Sequence, residues 1–129
     1  MTLYEKGARF ERLLVHKFQE NGWISFRAAG SGTIKYIIPD VIAIKGNKVL
    51  MVECKSTKKE SISLKEPILN LKEILHISEF EIYLAVKFNR QDPRFYKIQD
   101  LLKKENFTIS ISEQYKTFDE IVGEQRTLV

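Results

Sequence analysis

Asp40-Val41-Ile42-Ala43-Ile44-Lys45-Gly46-Asn47-Lys48-Val49-Leu50-Met51-Val52-Glu53-Cys54-Lys55 is the stretch from which the rest of the chain can be read. Two apolar runs flank Gly46-Asn47, a two-residue hairpin signature. Both runs are apolar on both faces, as expected of strands in the middle of a sheet that is covered on both sides. With Lys45 set opposite Lys48 across the turn, the register brings Asp40 directly across from Glu53. Side chains so paired have Cβ atoms roughly 4.5 to 5.5 Å apart on one face of the sheet. Lys55, two residues beyond Glu53, projects from that same face. Cys54 projects from the other one, where it reads as a small buried hydrophobe rather than a nucleophile.

Opposed anions destabilise a sheet, and two carboxylates this close ordinarily force one to hold a proton. A bound divalent cation removes the conflict, and Mg²⁺, or Mn²⁺ in its place, prefers oxygen ligands. The plainer alternative is that Asp40 caps a strand end while Glu53 pairs with Lys55.

Working outward, Leu3 to Asn21 carries Phe10, Leu13, Leu14, Val15 and Phe18 at helical spacing, and Gly22 stands where a helix C-cap glycine belongs. Gly7, Glu11, Leu14 and Phe18 fall on one helical face, which aims Glu11 at the sheet. A carboxylate placed there needs a partner or a cation; an ion pair with Arg27 is the competing explanation. A glycine inside a helix costs about 1 kcal/mol relative to alanine, so Gly7 marks either a close backbone approach or a fraying end. Trp23 to Ala28 reads as a strand. Gly30-Ser31-Gly32 opens a loop that runs to Pro39 and offers backbone amides and a hydroxyl to an anion; it lacks the Gly-Lys-Ser/Thr ending of a nucleotide loop, which excludes ATP binding. Arg9, Arg12, Arg27 and Lys35 flank the acidic residues, and Lys58 and Lys59 follow Lys55. For any one of these, a solvated surface charge is the alternative.

Further on, a helix is expected from about Pro67 to Ile77, with the proline in its first turn. Strands are expected over Phe80 to Phe88 and Phe95 to Ile98. A short helical stretch near Asp100 to Lys104 and a strand over Thr108 to Ser112 follow. The order implies an α/β fold, a central mixed sheet flanked by helices. The 129 residues, 43% hydrophobic and 29% charged, suit one domain spanning 1–129 with a real core. No apolar run is long enough to cross a bilayer, and Met1 to Arg9 lacks the apolar stretch of a signal peptide, so the expected location is cytoplasmic with no membrane partner. A single cysteine excludes an intramolecular disulfide and a cysteine-rich zinc site. His16 and His76 have no second ligand at metal-binding spacing. A net charge of +4 and a pI near 9.1 favour a polyanionic partner.

Pro39-Asp40, followed after the hairpin by Glu53-Cys54-Lys55, resembles the signature of PD-(D/E)xK nucleases. Lys6-Gly7-Ala8-Arg9-Phe10-Glu11-Arg12, Arg27-Ala28-Ala29-Gly30-Ser31-Gly32, Pro39-Asp40-Val41-Ile42-Ala43 and Glu53-Cys54-Lys55-Ser56 together resemble consecutive blocks of archaeal Holliday junction resolvases. The likeness continues weakly through Leu84-Ala85-Val86-Lys87, and nothing is carried over beyond Val86. The resemblance implies a restriction-endonuclease-like fold and a Mg²⁺-dependent endonuclease acting as a homodimer on four-way DNA junctions. It implies that Glu11, Asp40 and Glu53 hold or orient metal, with the Cys54 carbonyl as a further ligand, and that Lys55 completes the catalytic set. Ser31 would approach the scissile phosphate. Arg9, Arg12, Arg27, Gly30, Ser31, Gly32, Lys35, Lys58 and Lys59 would contact DNA. The alternatives are a restriction- or repair-type nuclease of the same superfamily, a non-catalytic DNA-binding module, and a structural subunit whose basic face is incidental. Gln125-Arg126-Thr127-Leu128 resembles the start of a sliding-clamp motif but lacks the paired aromatics, so no sliding clamp is assigned as a partner.

Overall fold

The computed structural model describes residues 3–28, 38–104 and 106–123. Helix α1 runs Leu3–Glu20, close to the span expected, and ends in a Schellman motif at Gly22. Gly22 adopts φ 85°, its N–H donates to the Gln19 carbonyl, and the Trp23 N–H donates to that of Phe18, each at 3.0 Å. The Phe18 and Trp23 rings meet edge to face, 5.6 Å between centroids, so the turn that stops the helix also seeds the core.

Strands β1 (Ile24–Arg27), β2 (Val41–Lys45) and β3 (Lys48–Thr57) form an antiparallel meander. The β2–β3 register is the one the turn dictates: Lys45 pairs with Lys48 and Val41 with Val52. Gly46 takes φ 61°, the sign that the first central position of such a turn requires. Strand β3 then pairs in parallel with β5 (Glu81–Phe88), which pairs antiparallel with β6 (Arg94–Lys97). The sheet order is β1-β2-β3-β5-β6.

The β3-to-β5 crossover carries β4 (Ser61–Ser63) and helix α2 (Lys65–Ile77), which begins two residues before the expected Pro67 and keeps that proline in its first turn. Helix α3 (Ile98–Lys103), β7 (Thr108–Ser110) and α4 (Phe118–Gly123) complete the described chain. Two elements were not expected, α4 and β4, which pairs with β7 as a separate two-stranded sheet.

Alternate residues of the main sheet face two cores. On one face Val41, Ala43, Leu50, Val52, Tyr83 and Ala85 pack with Phe10, Leu14 and Phe18 of α1 and Phe118 of α4. On the other, Ile82, Leu84 and Val86 pack with Ile68 and Leu71 of α2 and Ile98 of α3. This is the expected α/β architecture, a mixed sheet between helical layers. The coverage expected for the hairpin is incomplete, however. Ile44 and Val49 are only partly buried, and beside the hairpin Ile24 and Phe26 of β1 are exposed. No helix is long and apolar enough to cross a membrane among the described residues.

Candidate active site

The hairpin delivers its two acids to one place. Asp40 sits one residue before β2, and its Oδ2 accepts a hydrogen bond from the Cys54 N–H at 2.9 Å. That bond ties the end of β2 to β3 beside Glu53. Glu53 is largely buried, with 12% of its side chain exposed, and its Oε2 lies 3.6 Å from Lys55 Nζ. Among the described residues its other oxygen, Oε1, is buried with no hydrogen-bond partner. An orphaned carboxylate oxygen is costly, because nothing replaces the water it gave up. Burial, and after it the charge of Asp40, pushes the Glu53 carboxyl up to about 7, against the opposing pull of Lys55.

Glu11 reaches the same neighbourhood from α1, where Leu14 and Phe18, three and seven residues on, are fully buried. Its carboxyl is raised, first by burial and then by Asp40, with Arg27 and Arg12 opposing. Its Oε1 accepts from Arg27 Nε at 3.2 Å. Asp40 is thus electrostatically close to both glutamates. The Cys54 thiol packs against the α1 core; burial and the surrounding carboxylates raise it well above its ordinary value, which disfavours the thiolate.

The plainer contacts weighed for each acid are therefore present: Glu11 with Arg27, Glu53 with Lys55, and Asp40 at a strand end. Among the described residues, no three histidine, cysteine, aspartate or glutamate side chains already converge at cation-binding distance. The donor set nevertheless fits a hard divalent cation. It offers three carboxylates, with Asp40 repelling each of the two glutamates, one of which has a buried oxygen without a partner among the described residues, and no soft ligand except the Cys54 thiol.

Arg9, Arg12, Lys58 and Lys59 are exposed, and Arg12 lies near enough to Glu11 to oppose its shift. Gly30, Ser31, Gly32 and Lys35 lie outside the described residues, as does the 125–128 segment. A groove of about 780 Å³ opens beside Lys55 between α1 and the ends of β3 and β5, and it includes Arg9 and Lys58. It also includes Lys87 and Arg90, to which the sequence assigned no role. The parallel register that sets Lys87 beside Ser56 depends on a crossover through α2, not on a local turn.

The comparisons with known proteins agree on one family. The model of the archaeal Holliday junction resolvase (Hjc) family matches residues 2–127. The likeness thus runs well past Val86, beyond the blocks recognisable by eye. The crossover junction endodeoxyribonuclease Hjc of Archaeoglobus fulgidus is 34% identical over 109 residues, 83% of this chain and 80% of that one. Its counterpart from Sulfolobus acidocaldarius is 33% identical and covers 95% of this chain and 90% of its own length. The solved structure of Archaeoglobus fulgidus Hjc, described as a Holliday junction resolvase from an archaeal hyperthermophile, superposes with a TM-score of 0.78 at 30% identity. It covers 91% of this chain and all of that one.

Proposed function

The chain belongs to the archaeal Holliday junction resolvase family and is a crossover junction endodeoxyribonuclease, and from that premise we propose that Glu11, Asp40, Glu53 and Lys55 cut the phosphodiester bond with a divalent cation. Glu11, Asp40 and Glu53, with the Cys54 carbonyl, would hold the cation; Mg²⁺ suits this oxygen set and Mn²⁺ substitutes. When bound, such a cation supplies Lewis acidity, which activates water and offsets charge on the phosphoryl oxygens.

The protein's own groups do the rest. The Cys54 N–H fixes the Asp40 carboxylate, so its position does not depend on a flexible side chain alone. Lys55, 3.6 Å from Glu53, would donate hydrogen bonds to the attacking water or to a non-bridging oxygen as charge develops there. Arg27, held at Glu11, offers a guanidinium to a phosphate entering the site. The observation that carries this reading is the buried, unpartnered Oε1 of Glu53 facing an opposed carboxylate and a lysine.

A four-way junction is two-fold symmetric, and symmetric cleavage calls for two active sites. We assign the homodimer contact to the open sheet face. There Ile24 and Phe26 of β1 align with Ile44 and Ile42 of β2, and these align with Val49 and Met51 of β3.

The direct test replaces Asp40→Ala or Glu53→Ala and assays a labelled four-way junction beside linear duplex of the same sequence. Mg²⁺-dependent nicking is expected to fall by at least about a thousandfold, in line with losing a cation that lowers the barrier by several kcal/mol, while junction binding persists. Full nicking by either variant refutes the site. Equal cutting of linear duplex by the wild type refutes junction selectivity.

A further inference from the structure

The groove beside Lys55 has an unusual lining. Among the described residues five cationic ones reach it, Arg9 from α1, Lys55 and Lys58 from β3 and the turn after it, and Lys87 and Arg90 from β5 and the turn after it, and no carboxylate does. The other large cleft, near Tyr96 and Tyr115, mixes three lysines with three acids. A one-sign groove of this kind concentrates a polyanion.

Two backbone features single out what this groove receives. Arg90 has φ 60°, the only positive φ of a non-glycine residue among the described residues. That conformation crowds the Cβ of an L-residue, whereas glycine adopts it freely. The turn itself therefore favours glycine, and the presence of arginine is explained by what its side chain does. That side chain is exposed and, among the described residues, makes no ion pair. Gly7 lines the same groove from inside a helix. Among the described residues a Cβ there would meet only Glu11 Oε2, at 3.9 Å, so none of these residues requires a glycine there. Its lack of a side chain leaves the groove wall open to close approach.

We propose that this groove is a phosphate track that takes the DNA strand running on from the scissile bond, with Arg90 binding one of its phosphates. The proposal rests on the resolvase reading of the neighbouring acids. It makes Arg90 a residue for binding the strand, not for the chemical step.

The test compares Arg90→Gly and Arg90→Lys with wild type and with Lys103→Ala, an exposed cation on α3. Junction affinity is measured over a range of salt, together with single-turnover cleavage at saturating protein and thermal melting. Arg90→Gly is expected to melt no lower than wild type, because it relieves the backbone, yet to bind about tenfold more weakly. Its log–log salt slope should be shallower by about 0.9, the loss of one phosphate contact. Its cleavage rate at saturation should stay within about twofold of wild type, since its binding role ends once the strand is seated. Arg90→Lys should regain most of the affinity, and Lys103→Ala should leave the slope unchanged. An unchanged slope in Arg90→Gly overturns the phosphate track, and so does a lowered melting temperature, which would assign Arg90 to the fold. If wild type neither binds nor cuts the junction, the resolvase reading fails first. If wild type does both and Arg90→Gly matches it, only the track fails.

Discussion

At the scale of single residues, Glu53 is where opposing forces meet. Burial and the charge of Asp40 raise its carboxyl from 4.5 to about 7, while Lys55 pulls it down. Between those two values the folded protein holds a proton that the unfolded chain has released. This contribution to stability is therefore fully present below pH 4.5 and is lost as the pH rises through about 7. Glu53→Gln cannot ionise and should flatten that profile. In chelator, the variant is expected to melt above wild type at pH 8 and close to it at pH 4. Adding Mg²⁺ at pH 8 should raise the wild-type melting temperature more than that of the variant. Thermal melts across pH check this, and a variant that melts below wild type at pH 8 without metal would sink it. The opposition of Asp40 and Glu53 was legible in the sequence because a two-residue turn sets register without help from the rest of the fold. The Arg27–Glu11 pair was legible only as an alternative, because it spans 16 residues and depends on how β1 lies along α1.

At the scale of elements, what the sequence revealed tracks how locally each piece is determined. Helix α1 has its stripe of Phe10, Leu14 and Phe18 and its own stop at Gly22, so both the helix and its end could be read. Gly22→Ala should weaken that stop. A Cβ there would meet Lys45 Nζ at 3.5 Å, ordinary contact, so the penalty is one of backbone conformation and not of collision. The expected loss is about 1 to 2 kcal/mol for an alanine forced to positive φ, read as a lower urea midpoint at unchanged slope. An equal midpoint would mean that the Schellman turn is not needed to end the helix. The small β4–β7 sheet, by contrast, has no local signature. Its strands are three residues each, rich in serine and threonine, and Ser63 finds Thr108 only 45 positions later. Helix α4 spans six residues and is held by tertiary contacts, among them Phe118 against Phe18 at 5.0 Å. Such elements are made by packing and not by propensity. Lys87 and Arg90 received no role from the sequence for a related reason, since the parallel pairing that brings β5 to the site is set by a crossover and not by a turn.

At the scale of the whole molecule, the sheet has one finished face and one unfinished one. The α1 face is closed by α1 and α4, but on the opposite face α2 and α3 cover β5 and β6 and leave the β1–β2 end open. Ile24 is 67% exposed and Phe26 47%, and both sit in register with further isoleucines. A contiguous apolar strip of this kind is uncommon on a monomer and suits a self-complementary contact. The edge strand that carries it leads through Arg27 to Glu11, so two chains joined there would hold their acid clusters in fixed relation. Phe26→Glu places a charge in the middle of that strip without touching either core, because the side chain already faces outward. The variant should remain folded by circular dichroism and sediment as one chain of 15.1 kDa, whereas on the proposed dimer the wild type should sediment as two. With its acids intact it should still nick junctions at high protein concentration, but the two cuts should lose their pairing, so singly nicked products accumulate in a plasmid-borne cruciform. A Phe26→Glu protein that stays dimeric, or one that is monomeric and still delivers paired cuts, would move the contact to another face.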